Sequence, residues 1–115
     1  MIHFQITNWV GEPSVVQNGA NGSAVIKTVE LNKLKVRMIE YSPEYEADHW
    51  CEKGHIAYCL SGELIIELAD NTTHTLDEGS SFEVSDQMSS HKVYSKKGAK
   101  LFIIDGEFLQ KTHKK

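Results

Sequence analysis

Three side chains suited to binding a transition metal fall within one short run, Asp48-His49-Trp50-Cys51-Glu52-Lys53-Gly54-His55. Imidazole and thiolate together suit zinc, copper, nickel or ferrous iron, and argue against calcium and magnesium, which take oxygen donors. Side chains alternate faces along an extended chain, so His49 and Cys51 are expected to point the same way. Their Cα atoms would lie roughly 6–7 Å apart at about 3.3 Å per residue, close enough to converge on one ion. Trp50, between them, is expected to turn away and pack on the opposite face. Gly54 permits a sharp turn, after which His55 opens the next strand near the first pair. Each histidine alone is more often a surface or core residue than a ligand; it is the cluster that points to metal. The run contains no Cys-x-x-Cys and no second close pair, so a zinc finger does not fit and a barrel-lining site does.

The elements that must position these residues are short and frequently punctuated, which is the signature of an all-β chain. Turn residues stand at Gly11–Pro13, Asn18–Gly22, Ser42–Pro43, Gly54, Ser61–Gly62, Asp70–Asn71, Glu78–Gly79 and Lys97–Gly98. Between them lie the predicted strands Ala24–Val29, Leu34–Tyr41, His55–Leu60, Glu63–Leu68, Thr72–Leu76, Ser81–Val84, His91–Ser95 and Ala99–Asp105, rich in Val, Ile, Tyr, Phe and Thr. Asp70–Asn71 reads as a hairpin turn and Ser61–Gly62 as a tighter one, with Gly62 free to take a positive φ. Nothing repeats at helical spacing for long enough to predict a helix. Strands at this spacing make a barrel or a sandwich.

Length and composition bound the rest. A chain of 115 residues is one domain's worth, 1–115, and needs no disulfide to fold. Its 16 acidic and 12 basic side chains leave a net charge of −4. The late basic residues, Lys92, Lys96, Lys97, Lys100, Lys111 and the Lys114–Lys115 end, read as a solvated tail and not a nucleic-acid arm, because they lack arginine and interleaved aromatics. No membrane partner is expected, since no run approaches the roughly 20 apolar residues of a span. Met1–Val10 has no basic-then-apolar leader pattern. Two cysteines, Cys51 and Cys59, make no disulfide framework, and the cytoplasm is the default compartment. No Gly-rich phosphate loop, nucleophile elbow or dinucleotide fingerprint is present.

The run from Asp48 to Ser95 resembles the cupin superfamily. The first cupin motif is His, one residue, His, three or four residues, Glu, six residues, Gly. This chain matches its spacing with His49, Cys51 in place of the second His, His55 in place of the Glu, and Gly62. The second motif runs from Gly79 through Phe82 and Val84 to His91, one residue longer than usual, with Ser85, Gln87 and Ser95 where Pro, Gly and Asn are customary. A small single-domain cupin subgroup named for an Asp-His-Cys-Trp motif is more closely similar, although Asp48-His49-Trp50-Cys51 has its last two residues in the other order. The resemblance implies a cupin-type jelly-roll (double-stranded β-helix) barrel, a metal held by His49, Cys51, His55 and His91, and a homodimer.

Three histidines and a thiolate can close a tetrahedral zinc site, so zinc is the first choice among divalent transition metals, with iron, nickel and copper as alternatives. The competing reading is a metal-dependent enzyme, an oxygenase or isomerase of a small chelating substrate, with an open coordination position. A small-molecule ligand in the barrel is compatible with both. Around the site, Ala57 and Cys59 share the face of His55. Cys59, about 13 Å along the strand, is too far to share its ion and reads as a core thiol. Asp48 and Glu52 are read as supporting or surface carboxylates. Ser95 is read as a turn or surface residue, with ligand contact as the alternative. Tyr58, Phe82, Tyr94 and Phe102 are assigned to packing, and His3, His74 and His113 to the surface.

Overall fold

The computed structural model describes residues 2–106, so the basic end and His113 lie outside the described part. A short 3₁₀ turn, Trp9–Gly11, precedes nine strands: β1 (Val15–Asn18), β2 (Ser23–Leu31), β3 (Leu34–Tyr41), β4 (Tyr45–Glu46), β5 (His55–Leu68), β6 (Thr73–Asp77), β7 (Ser81–Val84), β8 (His91–Ser95) and β9 (Ala99–Gly106). All pairings are antiparallel, and two sheets result. One runs β1-β2-β3-β9-β5-β7, the other β6-β5-β8-β4. The jelly-roll expectation therefore holds. No helix among the described residues is long and apolar enough to cross a membrane.

Strand β5 belongs to both sheets, and this corrects the reading of Ser61–Gly62 as a hairpin turn. Its first half pairs with β7 and β9, its second with β6 and β8. Between Cys59 and Ser61 the register against β9 slips, which marks a bulge. One extra residue reverses which side chains face inward. Before the bulge the buried residues are odd (His55, Ala57, Cys59); after it they are even (Leu64, Ile66). The strand can thus bend from one wall to the other and still present apolar side chains to a single core. Gly62 makes the bend possible. Its φ is +82°, and a Cβ there would stand 2.2 Å from the Gly98 carbonyl oxygen.

The Asp70–Asn71 turn forms as expected. Asn71 takes a φ of 72°, and the Asp70 carboxylate accepts from the Thr72 backbone N–H at 2.9 Å and from its hydroxyl at 2.6 Å. The core between the sheets is built from Ala24, Ile39, Ala57, Cys59, Leu64, Ile66, Leu76, Ala99, Leu101 and Ile103. Outside the first sheet, Trp9 packs edge-on to Phe102 at 6.3 Å. Tyr58 does not belong to packing: it is 44% exposed. Ser95 is not a surface residue. It is buried, donating to the Glu63 carbonyl at 2.6 Å and accepting from the Gly98 N–H at 3.0 Å, so it ties the β8–β9 turn to β5.

If close approach of backbones, and not positive φ alone, holds the bend, two glycines should respond differently. Gly79 has a φ of +89° with nothing within 4 Å of its Cβ position. Gly79→Ala should then cost about 1 kcal/mol in urea denaturation, and Gly62→Ala about 3 kcal/mol or more. Equal losses would contradict the steric account.

Candidate metal centre

Cys51 lies outside the strands, yet its position is fixed by main-chain bonds. Its N–H donates to the His91 carbonyl at 2.7 Å, and the His91 N–H donates back to the Cys51 carbonyl at 2.9 Å. That two-way bridge ties it to the first residue of β8. His55 is the first residue of β5, directly after Gly54. Gly54 donates to Asp86 Oδ1 at 2.5 Å, and a Cβ on it would collide with the Val84 carbonyl and the Asp86 nitrogen. Glycine is therefore required where this loop passes over the β7–β8 connection.

These constraints bring three of the four expected ligands together. One donor atom each from Cys51, His55 and His91 lie within 4.8 Å of one another, and Cys51 Sγ is 3.6 Å from His55 Nε2. The two imidazoles are buried, nearly perpendicular, with ring centroids 5.4 Å apart. Phe82 packs edge-on against both. Each ring is keyed from behind. His55 Nδ1 donates to Asp105 Oδ1 at 2.6 Å, and His91 Nδ1 donates to the Ser89 carbonyl at 3.1 Å. Both partners are pure acceptors, so the proton belongs on Nδ1 and the lone pair on Nε2. Histidines oriented by a carboxylate or a carbonyl in this way are the usual supports of a metal ligand.

His49 is not brought into this group. The chain bends at Asp48–His49 and is not extended there, and the donor atoms that cluster are those of Cys51, His55 and His91. The His49 side chain is 65% exposed, and its Nδ1 pairs with Asp48 Oδ1 at 2.6 Å, at the rim of the barrel. Trp50 does not pack on an opposite face either; it is 42% exposed beneath Lys92 Nζ, 5.8 Å from its ring. Glu52 is exposed, as read, and Cys59 is a fully buried core thiol.

Two residues of the site escaped the sequence reading: Asp105, which keys His55, and Arg37, whose Nη2 lies 3.0 Å from Asp105 Oδ2. The signal was a charge in an apolar run, Arg37 beside Val36 and Met38, and Asp105 after Leu101–Ile104. In the fold Arg37, Ile39 and Tyr41 line the barrel interior, with exposed Lys35 at its mouth.

The electrostatics follow from this arrangement. Hydrogen bonds from His55 and His91 draw the Cys51 thiol down to about 5, against the penalty of burial. Burial disfavours the His55 imidazolium, but Asp105 and then Cys51 outweigh it and raise the group above its ordinary value. Burial likewise opposes ionisation of Asp105, yet His55 and Arg37 hold its carboxyl below the usual range. The centre thus favours a Cys51 thiolate beside His55, backed by a carboxylate. It opens on a cavity of about 260 Å³ between the sheets, walled on one side by Ile39, Leu101 and Ile103.

No family model matches the sequence, and no curated protein matches it. Solved structures do. An RmlC-like cupin from Shewanella frigidimarina superposes with a TM-score of 0.71 over 91% of this chain and 92% of its own, at 16% identity. The fold is that of the cupins. The EutQ protein of Clostridium difficile shares this cupin barrel with a TM-score of 0.68 at 16% identity, over 79% of this chain and 75% of its own. HppE with iron(II) shares it with a TM-score of 0.73 at 16% identity, over 89% of this chain and 60% of its own. Within this cupin barrel the Cys-His-His donor set, two imidazoles with directed lone pairs and a thiolate, fits a transition metal.

A depressed thiol pKa makes its contribution to stability largest above the ordinary thiol range and lost as pH falls through the folded value. In the metal-free protein the ultraviolet thiolate absorbance of Cys51 should therefore titrate near pH 5, and resistance to denaturant should fall as pH drops through that point. His55→Ala should return the midpoint toward about 8.5. A midpoint that stays near 5 in that variant would show that the imidazole is not the cause.

Proposed function

We propose that this protein binds one divalent transition-metal ion through Cys51 Sγ, His55 Nε2 and His91 Nε2. The observation that carries the reading is the convergence of the three donor atoms within 4.8 Å, with each imidazole keyed through its Nδ1. Zinc remains the first choice, and ferrous iron, nickel and copper are compatible with the donors. The cupin barrel of HppE, solved with iron(II), supports a metal in this fold.

Three protein ligands, and not four, alter the chemistry. Closed structural zinc sites use four, whereas catalytic sites keep a position for water or substrate. The placement of His49 at the rim therefore favours a metal-dependent enzyme acting on a small molecule over a metal that only staples the fold. Bound there, the ion would supply Lewis acidity or redox chemistry. The chain's own residues would do the rest: Asp105 holds His55 in one tautomer, Phe82 shields both rings, and the apolar wall limits water. A second reading rests on Cys51–His55–Asp105, which lines up thiolate, imidazole and carboxylate as a nucleophile, base and orienting group would.

Metal analysis of the untagged protein tests these readings. Cys51→Ser and His91→Ala should each lower zinc affinity by more than about 100-fold and Asp105→Asn by about 10–100-fold, a supporting-residue effect. His49→Ala and Cys59→Ser should leave it unchanged. Zinc should also protect Cys51 from iodoacetamide, and azide should perturb the spectrum of the cobalt-substituted protein. A protein that takes up no metal, with Cys51 alkylated equally fast in its presence, would leave the nucleophile reading in its place.

A further inference from the structure

The guanidinium of Arg37 is under-used by the protein. It carries five N–H donors, and Asp105 Oδ2 takes one of them at Nη2. Its other near neighbour, His55 Nδ1 at 3.5 Å, already donates to Asp105 and cannot accept. Nε is shielded from solvent without a hydrogen-bond partner, alone in this among the side-chain atoms of the described residues. Nη1 has no hydrogen-bond partner among the described residues either, and Arg37 lines the cavity.

The rest of the lining has the same sign. Lys35, Arg37, Lys53 and Lys92 face one carboxylate, Asp105, which is engaged by His55 and Arg37. Even with the Cys51 thiolate counted, four basic side chains against two anions is a local excess in a chain whose overall charge is −4. Composition therefore does not account for it. A guanidinium fixed at one arm and free at the other is pre-organised for an oxyanion, and lysines at the mouth would draw one in. The cavity of about 260 Å³ falls below the ~300–1,000 Å³ of sites for drug-sized molecules, so the ligand must be small.

We infer that the barrel takes a small organic oxyanion, carboxylate or phosphonate, whose head is held by the free arm of Arg37 beside His55, with Lys35 and Lys53 at the mouth. This rests on the metal-centre reading only for the role of the ligand's other end, which would face Cys51, His55 and His91.

The test is a titration of zinc-loaded and metal-stripped protein with acetate, methylphosphonate and neutral acetamide, followed by the NMR signals of the Arg37 side chain. Acetate or methylphosphonate should shift those signals saturably and acetamide should not, and the head with the lower half-saturation names the class. Compared at full zinc occupancy, Arg37→Gln should weaken binding at least tenfold, and Arg37→Lys should retain part of it. Anion binding in Arg37→Gln equal to the unaltered protein, or acetamide binding as well as acetate, would overturn the inference. Should Arg37→Gln not fold, the exposed double variant Lys35→Gln/Lys53→Gln must weaken binding at least threefold; no change there overturns it equally. Arg37-dependent binding by a protein that retains no zinc would uphold this inference while the metal reading fails. Zinc retention with Arg37-independent binding would do the reverse.

Discussion

The hydrogen bond between Asp105 and His55 is the interaction on which the site depends. At 2.6 Å it fixes the tautomer of the imidazole, turns its lone pair toward Cys51, and places a negative charge behind the ring. Burying a carboxylate among apolar strands costs several kcal/mol unless it is paired. Arg37 supplies the partner from the neighbouring strand, where Arg37 stands opposite Ile103 and Lys35 opposite Asp105 in the β3–β9 register. A buried ion pair of this kind adds little net stability compared with well-packed apolar side chains. Here its yield is orientation: an imidazole held to one rotamer and one protonation pattern beside a thiolate.

That arrangement is possible because two sheets close on one another through a single strand. β5 begins with His55 on one wall and ends on the other beside β8, whose first residue is His91. The bulge between Cys59 and Ser61 changes both the direction of the strand and the parity of its buried side chains. A hairpin at the same place would have ended β5 and left the two walls without a shared strand. The small size of the cavity follows from the same closure, since Ile39, Leu101 and Ile103 approach the centre from the first sheet.

Much of this was legible in the residue order. The strands Leu34–Tyr41, Ser81–Val84 and His91–Ser95 were read with the bounds the fold gives them, because their alternation is clear and turn residues flank them. Strands β1 and β4 were not read: β1 is exposed at every position and β4 has only two residues, so neither carries a burial pattern. The continuity of β5 was missed because Ser-Gly is a turn signal locally, and only pairing with β9 and β8 shows it to be a bend. In the site, Cys51, His55 and His91 converge, but His49 was placed by assuming an extended chain that the Asp48–His49 bend breaks. Arg37 and Asp105 lie 68 residues apart, and no local pattern joins two charges across a sheet.

The reciprocal main-chain bridge between Cys51 and His91 has a consequence for how such a centre can change. The spacing of the two donors is set by peptide groups, which every residue but proline supplies, so the scaffold does not depend on sulfur being there. Position 51 behaves as a socket: the element mounted in it can be exchanged for nitrogen or oxygen while its mounting stays put. The hardness or softness of the centre can thus be retuned by one codon, with the barrel around it left as it is.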